Sequence, residues 1–125
     1  MSVPAELKYT TEHEWIRIES DEIVIGVTEF AQGELGDVVF IEIETEGESL
    51  SIGDTFGTIE AVKTVSDLYM PVDGEVVEVN PALEDTPELV NSEPFEGGWM
   101  IRIKMTDPSQ LDDLITADAY SALIG

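Results

Sequence analysis

The sequence contains no cysteine. Disulfides and cysteine-ligated metals are therefore excluded, and any thiol chemistry must come from an attached group. One histidine, His13, rules out a multi-histidine metal site, and no metal is expected. Cations are scarce: 5 Lys+Arg stand against 28 Asp+Glu, a net charge of −23. Phosphate binding needs clustered lysine and arginine, so nucleic acid is not an expected partner. An acidic lipid surface is disfavoured for the same reason. No apolar run approaches the ~18 to 20 residues that span a bilayer. The amino terminus lacks a basic start and an apolar core, so no signal peptide is expected and the cytoplasm is the expected location.

The 125 residues, 42% of them hydrophobic, suffice for one domain with a proper core, taken as 1–125. A folded chain of this mass exposes roughly 6,600 Å², or about one acid per ~240 Å². Such self-repulsion destabilises a compact state in dilute buffer. At ~1 M salt the Debye length falls to ~3 Å and the repulsion is screened. The composition therefore points to a salt-rich cytoplasm, as in a halophile.

Apolar periodicity outlines a β-rich chain. Residues 13–19 read as a strand with Ile16 and Ile18 on one face, followed by a Ser20-Asp21-Glu22 turn and a strand alternating Ile23, Ile25 and Val27. Thr28 can N-cap a short helix over 29–35, using Phe30 and Ala31 as contacts and closing on Gly36. Residues 37–44 form the strongest strand, with Val39, Ile41 and Ile43 on one face and Val38 and Phe40 on the other. Residues 45–52 are a loop or a weak edge strand. Residues 75–80 form a strand with Val77 and Val79 together. Asn80-Pro81 starts a helical turn that Pro87 interrupts, and 91–98 is a loop. From Trp99 to Met105 the pattern alternates again, with Arg102 and Lys104 outward. Helices follow over about 107–124: one opened by Asp107-Pro108 with Leu111, Leu114 and Ile115, one capped by Thr116 with Ala119, Tyr120 and Leu123. Gly36-Asp37-Val38-Val39 recurs as Gly74-Glu75-Val76-Val77, a faint repeat that suits a pseudo-two-fold barrel or sandwich.

The chain centres on Glu60-Ala61-Val62-Lys63-Thr64-Val65-Ser66-Asp67, which holds one of only three lysines. Strand-like segments 54–59 and 68–72 flank it, so a hairpin over about 54–72 would carry Lys63 at its tip. Three readings of that lysine stay open. It is a solvated turn residue, the commoner meaning of such spacing. It is an amine awaiting acylation, which would make it a long uncharged tether. Or it is a Schiff-base lysine, which ranks last, because Glu60 and Asp67 would raise its pKa where that chemistry needs it lowered.

Several blocks in order resemble the H proteins of the glycine cleavage system: Leu7-Lys8-Tyr9 with His13-Glu14-Trp15, Gly36 to Phe40, Glu60 to Lys63, Ser66 to Tyr69, Pro71 to Asn80, Glu88 to Asn91 and Gly98 to Ile101. The resemblance covers essentially the whole chain. It departs at Ala61, where the family usually has serine, and over 44–49, where a Leu-Pro pair is missing. It implies a mainly β, hybrid barrel-sandwich fold of the lipoyl/biotinyl-domain type, with short helices and a C-terminal helical segment. It implies a carrier without catalytic residues, bearing lipoate covalently on Lys63. The carrier takes an aminomethyl group from glycine decarboxylase (the P protein) to the aminomethyltransferase (the T protein), and electrons to dihydrolipoamide dehydrogenase (the L protein). A lipoate-attaching enzyme is a further partner, and a monomer is expected. By the same resemblance, Glu14 and Asp67 are candidates for pairing with the amine of the loaded arm, and Glu60 and Asp67 for recognition by the modifying enzyme; each could equally be a solvated acid. His13 reads as a structural strand residue; Trp15, Trp99 and Tyr69 read as packing. Rival readings are a biotin carrier, whose lysine normally lies between methionines rather than Val62 and Thr64, a lipoyl domain of a 2-oxo-acid dehydrogenase, a Schiff-base enzyme, and an unmodified interaction domain.

Overall fold

The computed structural model describes residues 3–125. The alternating apolar residues after His13 make the first hairpin. Strands β2 (Glu14–Glu19) and β3 (Glu22–Val27) pair antiparallel from Glu14↔Val27 to Glu19↔Glu22 and turn through Ser20-Asp21. The short β1 (Lys8–Tyr9) pairs with β2 only at Trp15 and Ile16. Beyond those residues β2 is an edge, which is why Ile18 is exposed while Ile16 is buried, against the expectation of a shared buried face. Thr28 caps α1 (Glu29–Leu35) as the sequence predicts, its hydroxyl accepting the Ala31 N–H at 3.2 Å. Gly36 closes that helix at φ 82°, its N–H donating to the Gln32 carbonyl.

The remaining strands are β4 (Val38–Glu42), β5 (Ser49–Leu50), β6 (Thr55–Ala61), β7 (Val65–Tyr69), β8 (Gly74–Val79) and β9 (Ile101–Met105). They form two antiparallel sheets, ordered β1-β2-β3-β9-β8-β5 and β4-β6-β7. The fold is thus mainly β, with two sheets, short helices and a C-terminal helix. Ile16, Ile25 and Ile103 of the first sheet and Ile41, Phe56 and Ile59 of the second share one core. The first sheet is buried on its other face too. There Tyr9, Trp15 and Val24 pack with Tyr120 of the C-terminal helix α4 (Ala117–Ile124). Gly26 leaves room for Trp15: a Cβ there would lie 2.6 Å from the indole.

The faint repeat has a structural expression. The register slips between Val38 and Phe40 in β4, and between Val76 and Glu78 in β8. Each bulge falls on the second valine of its Gly-acid-Val-Val motif. A bulge adds a residue to one strand and breaks the alternation. This corrects two expectations: Val39 is exposed rather than sharing the buried face of Ile41, and Val76 rather than Val77 is the fully buried valine of β8.

Three helical expectations also shift. The turn expected from Asn80-Pro81 is α2 (Ala82–Asp85), with the Asn80 carboxamide accepting the Ala82 N–H at 3.1 Å. A further helix, α3 (Leu89–Ser92), occupies part of the stretch read as a loop. Residues Pro108–Asp113 form a 3-10 helix, opened by the Asp107 side chain accepting the Ser109 N–H. Thr116 caps α4, but the helix buries Ala117 and Tyr120 rather than Ala119 and Leu123. The four ion pairs among the described residues all involve Arg17 or Arg102, and Arg102 gathers Glu19, Glu22 and Glu78. No described helix is long and apolar enough to cross a membrane.

Candidate functional site

Strands β6 and β7 pair from Thr55↔Tyr69 to Glu60↔Val65. Regular strand therefore runs closer to the lysine than segments 54–59 and 68–72 suggested. Lys63 sits exposed at the tip. The Ala61 N–H donates to the Thr64 carbonyl at 2.8 Å, and none of residues 62–64 has a positive φ, so the tip needs no glycine. The Val62 N–H donates to the Asp37 carbonyl at 2.9 Å, tying the tip to the chain leaving α1. The methylenes of Lys63 lie over Gly36, where a Cβ would stand 3.4 Å from Cδ and Cε. Gly36 thus supplies both the left-handed helix end and a bare surface for the lysine stem.

Asn91 holds that surface in place. Its Oδ1 accepts the Val38 N–H at 2.8 Å; its Nδ2 donates to the Gly36 carbonyl at 2.9 Å and to Gln32 Oε1 at 2.8 Å. Sequence reasoning did not single it out. The one available signal was its place in the 88–91 block, because its partners lie more than 50 residues away.

Beside the hairpin lies a cavity of ≈ 540 Å³ whose apolar wall includes Val27, Phe30, Ala31 and Leu35. Leu35 adjoins the Gly36 surface under the Lys63 stem. Glu14 and Asp67 both line this cavity, so the fold brings these two sequence candidates together. Glu60 does not: it pairs with Phe40 and Val65 on the outer face of the hairpin, opposite to buried Ile59 and Ala61. Asp67 is exposed, whereas Glu14 is only 3% exposed, which replaces the solvated reading of Glu14. The Thr10 hydroxyl donates to Glu14 Oε1 at 3.4 Å and the Tyr69 N–H donates to Oε2 at 3.2 Å. Burial pushes the Glu14 carboxyl up to about 8; those two hydrogen bonds act against the shift, and nearby Glu12 adds to it. Near neutral pH this carboxyl is mostly protonated. A second cavity of ≈ 490 Å³ lies on its other side.

His13 precedes β2, at φ 66°, instead of lying within the strand. Its Nδ1 lies 2.9 Å from the Tyr120 hydroxyl, which is itself 2.7 Å from Thr28 Oγ1. The ring also packs on Phe30, so His13 joins α4 to α1. Trp15 is fully buried and donates from Nε1 to the Pro94 carbonyl at 2.7 Å, a packing role.

The family model "Glycine cleavage H-protein" matches residues 7–125. The chain belongs to the glycine cleavage H-protein family. It is 55% identical to the glycine cleavage system H protein of Staphylococcus haemolyticus over 125 residues, covering 100% of this chain and 99% of that one. It is 55% identical to the namesake from Bacteroides fragilis, covering 99% and 98%. The crystal structure of the H protein from Mycobacterium marinum superposes with a TM-score of 0.90 at 36% identity, over 98% of this chain and 99% of that one. As a family member the chain is a lipoyl carrier of the glycine cleavage system and not a catalyst, and the enzymes of that system are its partners. The surroundings of Lys63 fit a lipoyl group: an exposed amine, a bare glycine under its stem, and an adjoining apolar cavity with two carboxylates. Ala61 faces the core, which explains why a small residue suffices where relatives carry serine.

Proposed function

We propose that Lys63 is the lipoyl-attachment residue, and that the α1-side cavity receives the arm when it carries an aminomethyl group. The observation that carries this reading is the exposed tip lysine whose stem lies over Gly36, next to the residue lining that cavity. Lipoate, when attached, supplies a dithiolane able to carry the one-carbon amine and two electrons. The chain's own residues do the rest. Val27, Phe30, Ala31 and Leu35 exclude water from a hydrolytically fragile cargo. Glu14 meets the amine as a buried acid. An arriving ammonium stabilises the carboxylate, so docking releases the Glu14 proton and leaves a buried ion pair. Asp67, at the same cavity, adds negative charge. Tethering replaces separate encounters with a high local concentration at each enzyme. Those enzymes are glycine decarboxylase, the aminomethyltransferase and dihydrolipoamide dehydrogenase, with a lipoate-attaching enzyme acting first.

The same reading makes the chain a monomer in a salt-rich cytoplasm, since a net charge of −23 repels copies of itself and asks for screening. Light scattering across a salt series tests the monomer.

The attachment is tested by intact and peptide mass spectrometry of the protein from its native cells. A lipoyl increment on the peptide holding Lys63 is expected. A biotin increment would move the protein to carboxylases. An unmodified lysine in cells catabolising glycine would overturn the reading.

A further inference from the structure

Seven large hydrophobic side chains are markedly exposed among the described residues, and four of them surround the lysine tip. Phe40, Glu60 and Val65 form one cross-strand row on the outer face of the three-stranded sheet, because Phe40 pairs with Glu60 and Glu60 with Val65. Val39, the extra residue of the β4 bulge, and Val62, at the turn itself, extend the row. Their exposures are 49% for Val39, 50% for Phe40, 72% for Val62 and 63% for Val65. The next row inward carries Glu42, Thr58 and Asp67. The result is an apolar patch with Glu60 at its centre and carboxylates along its border, on a chain of net charge −23. Contiguous exposed apolar side chains rimmed by charge are the usual form of a docking surface.

We propose that this patch is the docking surface for the enzyme that acylates Lys63. The partner presents an apolar pocket for Phe40 and Val62, a cation for Glu60 and a basic rim. The proposal rests on Lys63 being the lipoyl-attachment residue. Acylation is the encounter that singles out this surface. The Lys63 amine must enter the enzyme's active site, form an amide with the carbonyl of an activated lipoyl ester, expel that ester's leaving group and lose a proton. During that step the turn and its flanks are pressed against the enzyme. Once the arm is attached, its reactive end lies far beyond the tip, and later partners need not cover the patch. Glu60 fits the same division: it points to the patch and not to the arm's cavity.

The test uses full-length protein free of lipoate, with a lipoate ligase, lipoate and ATP, and follows mass gain at acceptor concentrations below KM. Phe40→Ser and Val62→Ser, singly and together, are compared with Ile18→Ser, an exposed apolar residue at the far end of β2. The double variant is expected to lose about tenfold or more in kcat/KM for acylation; Ile18→Ser is expected to stay within about twofold. After prolonged incubation to full loading, the double variant is expected to support glycine cleavage at the parental rate. A double variant acylated as fast as the parent overturns the docking proposal alone. Normal acylation with impaired cleavage by the loaded form also overturns it, assigning the patch to a downstream enzyme. A parent chain that accepts no lipoate overturns the Lys63 reading beneath both. The substitutions are on solvent-facing side chains, and Val62→Ser lies in the turn, so at least that variant folds and keeps the test decisive.

Discussion

Glu14 and Tyr69 lie 55 positions apart, yet the Tyr69 amide donates to the Glu14 carboxyl at 3.2 Å. That bond and the Thr10 hydroxyl keep an acid inside the protein, between two cavities. In the folded chain its pKa is raised from 4.5 to about 8. Between those values the folded state holds a proton that the unfolded state has lost. The stabilising contribution is therefore full below about pH 4.5 and is lost as pH rises to about 8, by up to ~1.4 kcal/mol per unit. Glu14→Gln keeps the shape and an acceptor for Tyr69. Its unfolding free energy, measured by urea denaturation at ~1 M salt, is expected to fall less than the parent's between pH 5 and 8. Parallel curves for the two proteins would contradict the buried neutral acid.

Lys63→Arg keeps an exposed cation at the tip and leaves the fold intact. Stability is expected to change by less than ~0.5 kcal/mol. A guanidinium is not acylated, so the lipoyl increment and glycine cleavage with the other three components are both expected to disappear. Retained cleavage would remove Lys63 from the carrier role.

Asn91→Ala removes three hydrogen bonds at once and strands the Val38 N–H. A cost of about 2 kcal/mol is expected, because an unsatisfied donor loses its full solvation. The surface under the Lys63 stem loosens with it. In lipoylated protein the arm's sulfurs, once reduced, are then expected to react faster with a soluble thiol reagent, when compared at equal folded fraction. An unchanged thiol reaction rate would limit Asn91 to a stability role.

With 28 acids and 5 cations, the folded state gains from screening. The melting temperature is expected to rise by several degrees between dilute buffer and ~1 M KCl, where the Debye length is ~3 Å. A melting temperature indifferent to salt would count against a salt-rich setting.

Much of the fold was legible because its signals are local. Thr28 and Thr116 cap their helices as an isolated hydroxyl before a helical run suggests, and Ile23, Ile25, Ile101 and Ile103 show their buried face by alternation. The alternation misled where a bulge breaks it. Val39 and Val77 each sit at a register slip, and a bulge leaves no mark in the hydrophobic pattern. Helix α3 was missed because four residues hold too little periodicity to read.

The sequence by itself determined the net charge, the absence of thiol and histidine-metal chemistry, and a lysine between strands; with the resemblance of its ordered blocks, it also pointed to a lipoyl carrier. These follow from composition and from neighbours along the chain. Tertiary structure alone decided that Glu14 is a buried neutral acid while Glu60 faces outward, that Lys63 rests on Gly36, and that Asn91 pins that surface. Burial and long-range hydrogen bonds depend on which strands meet across the core. Two carboxylates that look alike in the sequence part company only when the fold places one inside and leaves the other in water.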